Sequence, residues 1–254
     1  TENLLNACPN IKLICVQATG YNIVDTAACA KRGIPVCNVP DYGTAAVAQF
    51  TLALMLELCH RIGHHDAVVH DGKWCASPSF CFWDTPQMEL GGKTLGIIGF
   101  GRIGQELGKM CKALGMTVLV TGRTVKPELE EKYGVKYVTM DELLAQSDFV
   151  SLHTPALGDK PFVDAECIAK MKDGAILINT SRGKNVDEQA LLDALNSGKL
   201  RGAGLDVWFE EPTANHDLYC HPAVSCTPHI GAQTVEAQKR IGAEVVEIID
   251  RFAF

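Results

Sequence analysis

Six short apolar runs recur along the middle of the chain, each followed by a stretch of mixed polarity: Thr94–Phe100, Thr117–Thr121, Phe149–His153, Ala175–Asn179, Ala203–Val207 and Val224–Thr227. Runs this short that are apolar on both sides of the pleat have no face to give to water. They fit a parallel sheet covered by helices on both faces. The stretches between them supply the helices. Ile103, Leu107, Met110, Cys111 and Leu114 fall on one helical face. Thr139 and Glu142 have the spacing of a capping box for a short helix before Ser147. Asp187–Ser197 reads as a helix stopped by Gly198. A smaller α/β unit comes first, with strand Ile11–Val16, helix Asp25–Lys31 and strand Pro35–Asn38. A long helix over Thr44–His70 then leads into the main sheet, and 72–91, rich in Trp, Phe and Pro, reads as an aperiodic excursion from it.

The 254 residues, 47% hydrophobic and 21% charged, are ordinary for a soluble globular chain and allow one large domain or two smaller ones. A net charge of −7 argues against a nucleic-acid or anionic-membrane surface. Gln49, Thr51 and Glu57 interrupt the longest apolar stretch, Ala45–Cys59, which is too short and polar to span a bilayer. The opening Thr-Glu-Asn lacks the basic and apolar regions of a secretion signal. The eleven cysteines include no C-x-x-C pair, and Cys15, Cys59, Cys111 and Cys226 lie in apolar segments. A reduced, cytoplasmic setting is the expectation.

Gly99-Phe100-Gly101-Arg102-Ile103-Gly104 matches G-x-G-x-x-G, a weak signal alone. Here it follows an apolar strand and opens an amphipathic helix, the context a dinucleotide requires. Gly99 would make the tight turn, Gly101 admit a pyrophosphate, and Gly104 bring the helix onto the sheet. The helix N-terminus attracts the anion. The next strand should end in the Asp or Glu that grips the ribose 2′-hydroxyl of NAD. It ends instead in Gly122-Arg123-Thr124. A guanidinium can hold a 2′-phosphate that a carboxylate would repel, so NADP is favoured over NAD. Further candidates for cofactor contact are His153 and Thr154, Thr180 and Ser181, Asp206 and Gly231. For His153 a structural hydrogen bond is an equal alternative.

Ligands of an open parallel sheet bind at the carboxyl ends of its strands. Those ends carry Thr180-Ser181-Arg182-Gly183, then Glu210-Glu211-Pro212, then Pro228-His229-Ile230-Gly231. Reducing a carbonyl by hydride requires that the substrate carboxylate be held, the developing alkoxide stabilised, and a proton delivered. Arg182 suits the first two tasks, because it stays charged and presents a planar fork. His229 suits the third, because an imidazole is the side chain able to give and take a proton near neutral pH, and Glu211 is the chosen carboxylate to orient it.

These residues carry a resemblance. Ile178-Asn179-Thr180-Ser181-Arg182-Gly183, Gly204-Leu205-Asp206-Val207 with Glu211-Pro212, and Thr227-Pro228-His229-Ile230-Gly231 resemble signatures of the D-isomer-specific 2-hydroxyacid dehydrogenases. Ala18-Thr19-Gly20-Tyr21-Asn22-Ile23-Val24-Asp25 and Arg32-Gly33-Ile34-Pro35-Val36 resemble that family's substrate-domain motifs. Cys81-Phe82-Trp83 is similar to glycerate dehydrogenases (hydroxypyruvate reductases), and the stretch from His229 through Gly242 to phosphoglycerate dehydrogenases. The resemblance implies an α/β fold: a Rossmann-type doubly wound sheet over 44–233, and a smaller, partial flavodoxin-like substrate domain from 1–43 and 234–254. It implies catalysis by Arg182, Glu211 and His229, a substrate carboxylate held at Thr19-Gly20-Tyr21 and by Arg182 and His229, and Asp206 and Thr180 beside the nicotinamide. The implied substrates are small 2-oxo or 2-hydroxy acids: hydroxypyruvate, glyoxylate or a phosphorylated relative. A homodimer through the long helix and the excursion is implied as well.

Relatives in that family usually carry several dozen more residues ahead of this starting point, so the smaller unit is expected to have exposed edges. If the protein truly lacks that portion, cofactor binding is expected to survive while turnover is weak or lost. An alternative of another class is a dinucleotide-sensing binding protein similar to transcriptional corepressors of this architecture; the complete catalytic set counts against it. Cys59, His60, His64, His65 and His70 invite a metal reading, but one helix cannot close a four-ligand site, and no metal is expected. His216 and His221 carry no assignment.

Overall fold

The computed structural model describes residues 2–156, 158 and 160–252. The ends of the expected smaller domain, Thr1, Ala253 and Phe254, lie outside them. The chain divides into two compact units: one through Ala46 and again from Ala232 on, the other Val47–Gly231. This division falls inside the first turn of the helix that begins at Thr44.

The smaller unit comprises α1 (Glu2–Ala7), β1 (Ile14–Val16), α2 (Thr26–Lys31), β2 (Val36–Asn38) and, at its far end, α11 (Val235–Arg251). β1 and β2 form a parallel pair. Leu5, Ala28 and Cys29 form one small core with Ile14 and Val36. Val39, Ile241 and Val245 form a second with Cys15, which brings α11 against β1. Asp25 caps α2, its carboxylate accepting the Ala28 amide at 2.9 Å. Of the six strand residues only Val16 is buried.

The larger unit opens with α3 (Thr44–His60), apart from its first three residues, and α4 (Ile62–His70). It continues through β3 (Thr94–Ile98), α5 (Arg102–Ala113), β4 (Thr117–Thr121), α6 (Pro127–Tyr133), β5 (Lys136–Tyr137), α7 (Met140–Gln146), β6 (Phe149–Leu152), α8 (Ala165–Lys170), β7 (Ala175–Asn179), α9 (Glu188–Asn196), β8 (Leu200–Leu205), α10 (His216–Tyr219) and β9 (Val224–Cys226). The seven strands form one parallel sheet in the order β5-β4-β3-β6-β7-β8-β9. The chain winds outward from β3 in one direction, then returns to β6 and winds the other way. The carboxyl ends of β3 and β6 are therefore the switch point.

Alternation along each strand divides the core into two layers. Leu95, Ile97, Val118, Val120, Phe149, Ile176 and Ile178 face α3 and α5, against Leu54, Met55, Leu58, Leu107 and Cys111. Ile98, Leu119, Val150, Leu152, Ala175 and Leu177 face α7, α8 and α9, against Leu143, Ile168, Leu191 and Leu195. This is the doubly wound arrangement the six runs predict.

Local departures have local causes. The single helix expected over 44–70 is broken at Arg61, which takes a left-handed φ of 51°. Glu57 then receives the Gly63 amide at 3.2 Å, which helps start α4. Leu114, expected on the buried face of α5, is its C-cap and stays 44% exposed. The fifth run spans 200–205, so Asp206 stands just past the strand end. No single helix among the described residues is long and apolar enough to cross a membrane; α3 and α4 would pass only as a pair, and they are bent by 59°.

The capping box is present in full. The Thr139 hydroxyl accepts the Glu142 amide at 3.2 Å, and Glu142 accepts the Thr139 amide at 2.9 Å. Thr139→Ala is expected to destabilise the larger unit by about 1 kcal/mol, read from the midpoint of urea unfolding. A midpoint matching that of the parent chain would show that the cap does not matter.

Candidate active site

The glycine turn sits at the switch point, and each of its glycines meets a different demand. Gly99 has φ of 96°, and a Cβ there would fall 2.7 Å from the His153 carbonyl oxygen, where β3 and β6 end side by side. A Cβ on Gly104 would fall 2.6 Å from the Gly99 carbonyl oxygen, which draws the first turn of α5 against the sheet. Gly101 is different: nothing lies within 4 Å of the position its Cβ would take. It is the N-cap of α5 and makes no side-chain cap bond. Open space in front of a helix start is what an entering pyrophosphate needs. The residues present fit a dinucleotide. Arg102 is exposed beside this start, and Ile103 is partly buried against the core. At the end of β4, Gly122 has open space where a side chain would be, and Arg123 and Thr124 are exposed after it.

Next to the switch point, the Ser151 hydroxyl and His153 Nε2 are 2.9 Å apart. His153 keeps partial exposure as a residue, yet its imidazole is enclosed, and desolvation pushes its pKa down to about 4. Thr154 is tied through its carbonyl to the Asn185 side chain at 3.1 Å.

Past β7, two buried asparagines hold the backbone around Arg182. Asn179 Nδ2 donates to the Arg182 carbonyl at 2.9 Å, and its Oδ1 accepts the Ser181 amide at 3.0 Å. Asn185 Nδ2 donates to the Ser181 hydroxyl at 3.2 Å. Thr51 Oγ1 donates to the Val47 carbonyl at 2.8 Å and lies 2.8 Å from Thr180 Oγ1. A hydroxyl carries one proton, so Thr180 must donate to Thr51. The half-buried Arg182 guanidinium folds back, Nη1 donating to the Ser181 carbonyl at 2.7 Å.

The neighbouring strand ends are locked to this segment. A Cβ on Gly183 would overlap the Trp208 carbonyl outright, so only glycine allows that approach. The Trp208 amide donates to Glu211 Oε1 at 3.1 Å, and Glu211 Oε2 lies 2.7 Å from His229 Nδ1. Asp206, 1% exposed, accepts three bonds from the His229 turn: from the Thr227 hydroxyl at 2.7 Å and from the Ile230 and Gly231 amides at 2.8 Å each. His229 has a left-handed φ of 56°, and its side chain is 52% exposed. Arg182, Glu211 and His229 are thus joined by one unbroken series of contacts at the carboxyl ends of β7, β8 and β9. Thr19, Gly20 and Tyr21 belong to the smaller unit, where Asn38 Nδ2 donates to the Thr19 carbonyl at 2.8 Å and Tyr21 is exposed.

Sequence reasoning missed Trp208, Asn179, Asn185 and Thr51 as supports of this site. Asn179 and Trp208 stood inside or beside motifs already noticed, but nothing in their spacing tells what they bond. The histidines of α3 and α4 are held by other partners: His60 by Gln87, His64 by Asp84, and His65 by the Arg61 carbonyl. A hollow of about 380 Å³ lined by Asp187, Glu188, Phe209, Glu210 and Asn215 contains none of Arg182, Glu211 and His229. The network carries more chemistry than this hollow and is the candidate site.

This fold and glycine turn define a Rossmann-class dinucleotide-binding protein. Residues 52–231 match the family described as D-isomer specific 2-hydroxyacid dehydrogenase, NAD binding domain. The chain is 50% identical over 254 residues to a hydroxypyruvate reductase of Blautia hydrogenotrophica, covering 99% of this chain and 78% of that one. It is 44% identical over 257 residues to a glyoxylate reductase of Thermococcus litoralis, covering 99% and 77%. Among solved structures, a D-lactate dehydrogenase from Aquifex aeolicus complexed with NAD and lactic acid superimposes with a TM-score of 0.86 at 36% identity, over 99% of this chain and 79% of that one. The chain belongs to the D-isomer-specific 2-hydroxyacid dehydrogenase family. It is an NAD(P)-dependent oxidoreductase that moves a hydride between a nicotinamide dinucleotide and a small 2-oxo or 2-hydroxy acid.

Two measurements follow from the cofactor side of the site. Gly101→Ala fills space that is empty in the protein alone, so its stability is expected to stay within about 0.5 kcal/mol of the parent while affinity for the dinucleotide falls at least tenfold. Unchanged binding in a fluorescence titration would remove Gly101 from the cradle. His153 stays neutral in the folded chain down to about pH 4 but protonates near 6.5 once unfolded. The unfolded state therefore binds the extra proton between those values, and stability is full above 6.5 and declines as pH falls through that window. His153→Gln is expected to reduce the loss between about pH 7 and 4.5 by about 2 kcal/mol. Parallel stability curves for the two proteins would show that His153 is not its source.

Proposed function

We propose that this chain reduces hydroxypyruvate or glyoxylate with NADPH, using Arg182, Glu211 and His229. The observation that carries the reading is the 2.7 Å bond between Glu211 and His229 Nδ1, linked through Trp208 to the backbone beside Arg182. The substrate class is supported by the names of the two relatives above.

The dinucleotide, when bound, supplies the hydride. Glu211 fixes the ring of His229 by taking the Nδ1 proton in a hydrogen bond, which leaves Nε2 to deliver a proton to the carbonyl oxygen as it becomes a hydroxyl. Arg182 uses one N–H on the Ser181 carbonyl. Its remaining donors pair with the substrate carboxylate and stabilise charge on the carbonyl oxygen. Thr19, Gly20 and Tyr21 add backbone donors to the carboxylate, on the strength of the family resemblance. Gly99, Gly101, Arg102, Ile103 and Gly104 would hold the pyrophosphate, and Thr180, Asp206, His153, Thr154, Ser181 and Gly231 would line the nicotinamide half. Arg123, exposed after the open Gly122, binds the 2′-phosphate in preference to a bare ribose.

The proposed functional domains are 1–43 with 234–254, which holds the substrate motifs, and 44–233, which holds the dinucleotide motif. The chain forms a homodimer through α3, α4 and the 72–91 excursion, whose Trp74, Phe80 and Trp83 are 49%, 90% and 66% exposed. It works in a reducing cytoplasm, in keeping with eleven free cysteines.

The test follows absorbance of the reduced nicotinamide with hydroxypyruvate, glyoxylate and pyruvate, each with NADPH and with NADH. Turnover is expected with the first two, faster with NADPH, and Arg123→Asp reverses the cofactor order. Arg182→Ala and His229→Gln are expected to lower kcat/KM by about 10²–10⁴. Wild-type kcat/KM in either variant would overturn the catalytic assignment.

A further inference from the structure

Two exposed cysteines, Cys220 and Cys226, lie beside the His229 turn, and the proposed mechanism uses neither. Cys220 is the C-cap of α10, and Cys226 ends β9. Cys226 Sγ lies 3.8 Å from the Tyr219 carbonyl oxygen. That carbonyl belongs to the peptide joining Tyr219 to Cys220. Peptide dimensions thus put the Cys226 sulfur within about 7 Å of the Cys220 Cα, so a bond between the two sulfurs requires the two segment ends to draw together. The Cys226 thiol is pushed up by desolvation first, and next by the charge Cys220 would carry, so the two sulfurs feel each other.

The two thiols have unequal surroundings. Cys220 Sγ is 3.5 Å from His216 Nε2, within hydrogen-bonding distance of the imidazole. His216 Nδ1, the other ring nitrogen, faces Asp217 at 3.9 Å. Cys226 donates to a carbonyl and stays a thiol. One sulfur is placed to become a nucleophile, the other to follow it. The other exposed cysteines, Cys8, Cys75 and Cys81, have no such histidine bond among the described contacts.

We infer that Cys220 and Cys226 form a peroxide-sensitive dithiol whose disulfide loosens the His229 turn. The Cys220 thiolate attacks a hydroperoxide oxygen. An S–O bond forms, the O–O bond breaks, and the departing alkoxide or hydroxide takes the proton held by His216. The sulfenic acid then reacts with Cys226: the S–S bond forms, the S–O bond breaks, and hydroxide leaves with the Cys226 proton as water. The two thiols lose two electrons and the peroxide gains them. The bond reaches the turn because Cys226 immediately precedes Thr227. The Thr227 amide donates to the Leu205 carbonyl at 2.9 Å, and its hydroxyl is one of the three donors to Asp206. Pulling Cys226 off the Tyr219 carbonyl to bond Cys220 strains that attachment. The proposed catalytic role of His229 gives the device its consequence, but the test reads chemistry and motion without turnover.

Trypsin releases Gly202–Lys239, which contains Cys220 and Cys226 and no other cysteine. After brief treatment of the whole chain with hydrogen peroxide, this peptide is expected to lose two hydrogens before Cys8, Cys75 or Cys81 is oxidised. The amides of Ile230 and Gly231 are then expected to exchange several-fold faster, and dithiothreitol should reverse both changes. Cys226→Ser is expected to trap a sulfenic acid on Cys220, captured by dimedone, and His216→Gln to slow oxidation several-fold. A peptide that keeps both thiols or gains oxygens would overturn the pairing, as would a Cys226 that oxidises equally fast in Cys220→Ser. A disulfide with unchanged exchange at Ile230 and Gly231 would overturn the link to the turn, and full-speed oxidation of His216→Gln would overturn its role as base. Activity retained by His229→Gln would sink the catalytic assignment instead and leave these readouts unaffected.

Discussion

The site hangs on one buried carboxylate. Asp206 stands at the end of β8, almost inaccessible, and its two oxygens accept three bonds from the turn that carries His229. A buried charge is costly unless it is fully hydrogen-bonded, and three donors meet that condition. Their stabilisation also holds His229 in a left-handed conformation that an L-residue enters at a cost of about 1–2 kcal/mol. The constraint works in both directions: the turn satisfies the aspartate, and the aspartate fixes the turn. His229 can then reach Glu211, which the Trp208 amide in turn orients.

The Arg182 side is built by another device. There the close approach of Gly183 to the Trp208 peptide leaves no room for a Cβ, the buried Asn179 bonds the Ser181 amide and the Arg182 carbonyl, and the buried Asn185 holds the Ser181 hydroxyl. Steric fit fixes the segment after β7, and hydrogen bonds to a charge fix the one after β9. Trp208 joins them, touching Gly183 through its carbonyl and Glu211 through its amide. A guanidinium and an imidazole far apart in the chain are thereby tied to a single frame, which is what a preorganised site requires.

The parts of this that were legible in the sequence share a property. The strands could be read because both faces of a central parallel strand are buried, so apolar composition alone marks them. The glycine turn could be read because its demands are made by backbone at fixed spacing, and Gly99, Gly101 and Gly104 each face a different demand. Arg182, Glu211 and His229 could be named because they end consecutive strands. The break at Arg61 was not legible: the hydrophobic pattern runs through it, and its cause is a left-handed residue with a cap from Glu57. The two-residue β5 and the four-residue α10 are too short to leave a period. Thr51 and Thr180, 129 positions apart, look like two ordinary hydroxyl residues until folding brings them to 2.8 Å. The pairing of Cys220 with Cys226 is hidden for a similar reason, because a helix end and a strand end define it.

The sheet's topology also sets which of these groups can move. β7, which carries Arg182, lies between β6 and β8 and is paired along both edges. β9, which leads to His229, is the last strand and is paired only with β8, through Ala203–Val224, Gly204–Ser225 and Leu205–Cys226. A displacement at the end of β7 would have to break two ladders. At the end of β9 it disturbs one register pair and the bonds to Asp206. The residue proposed to anchor substrate is therefore on the stiffest part of the frame, and the one proposed to pass a proton is on its most compliant edge. Any covalent change meant to act on this site without unfolding the sheet has its least costly point of entry at Cys226.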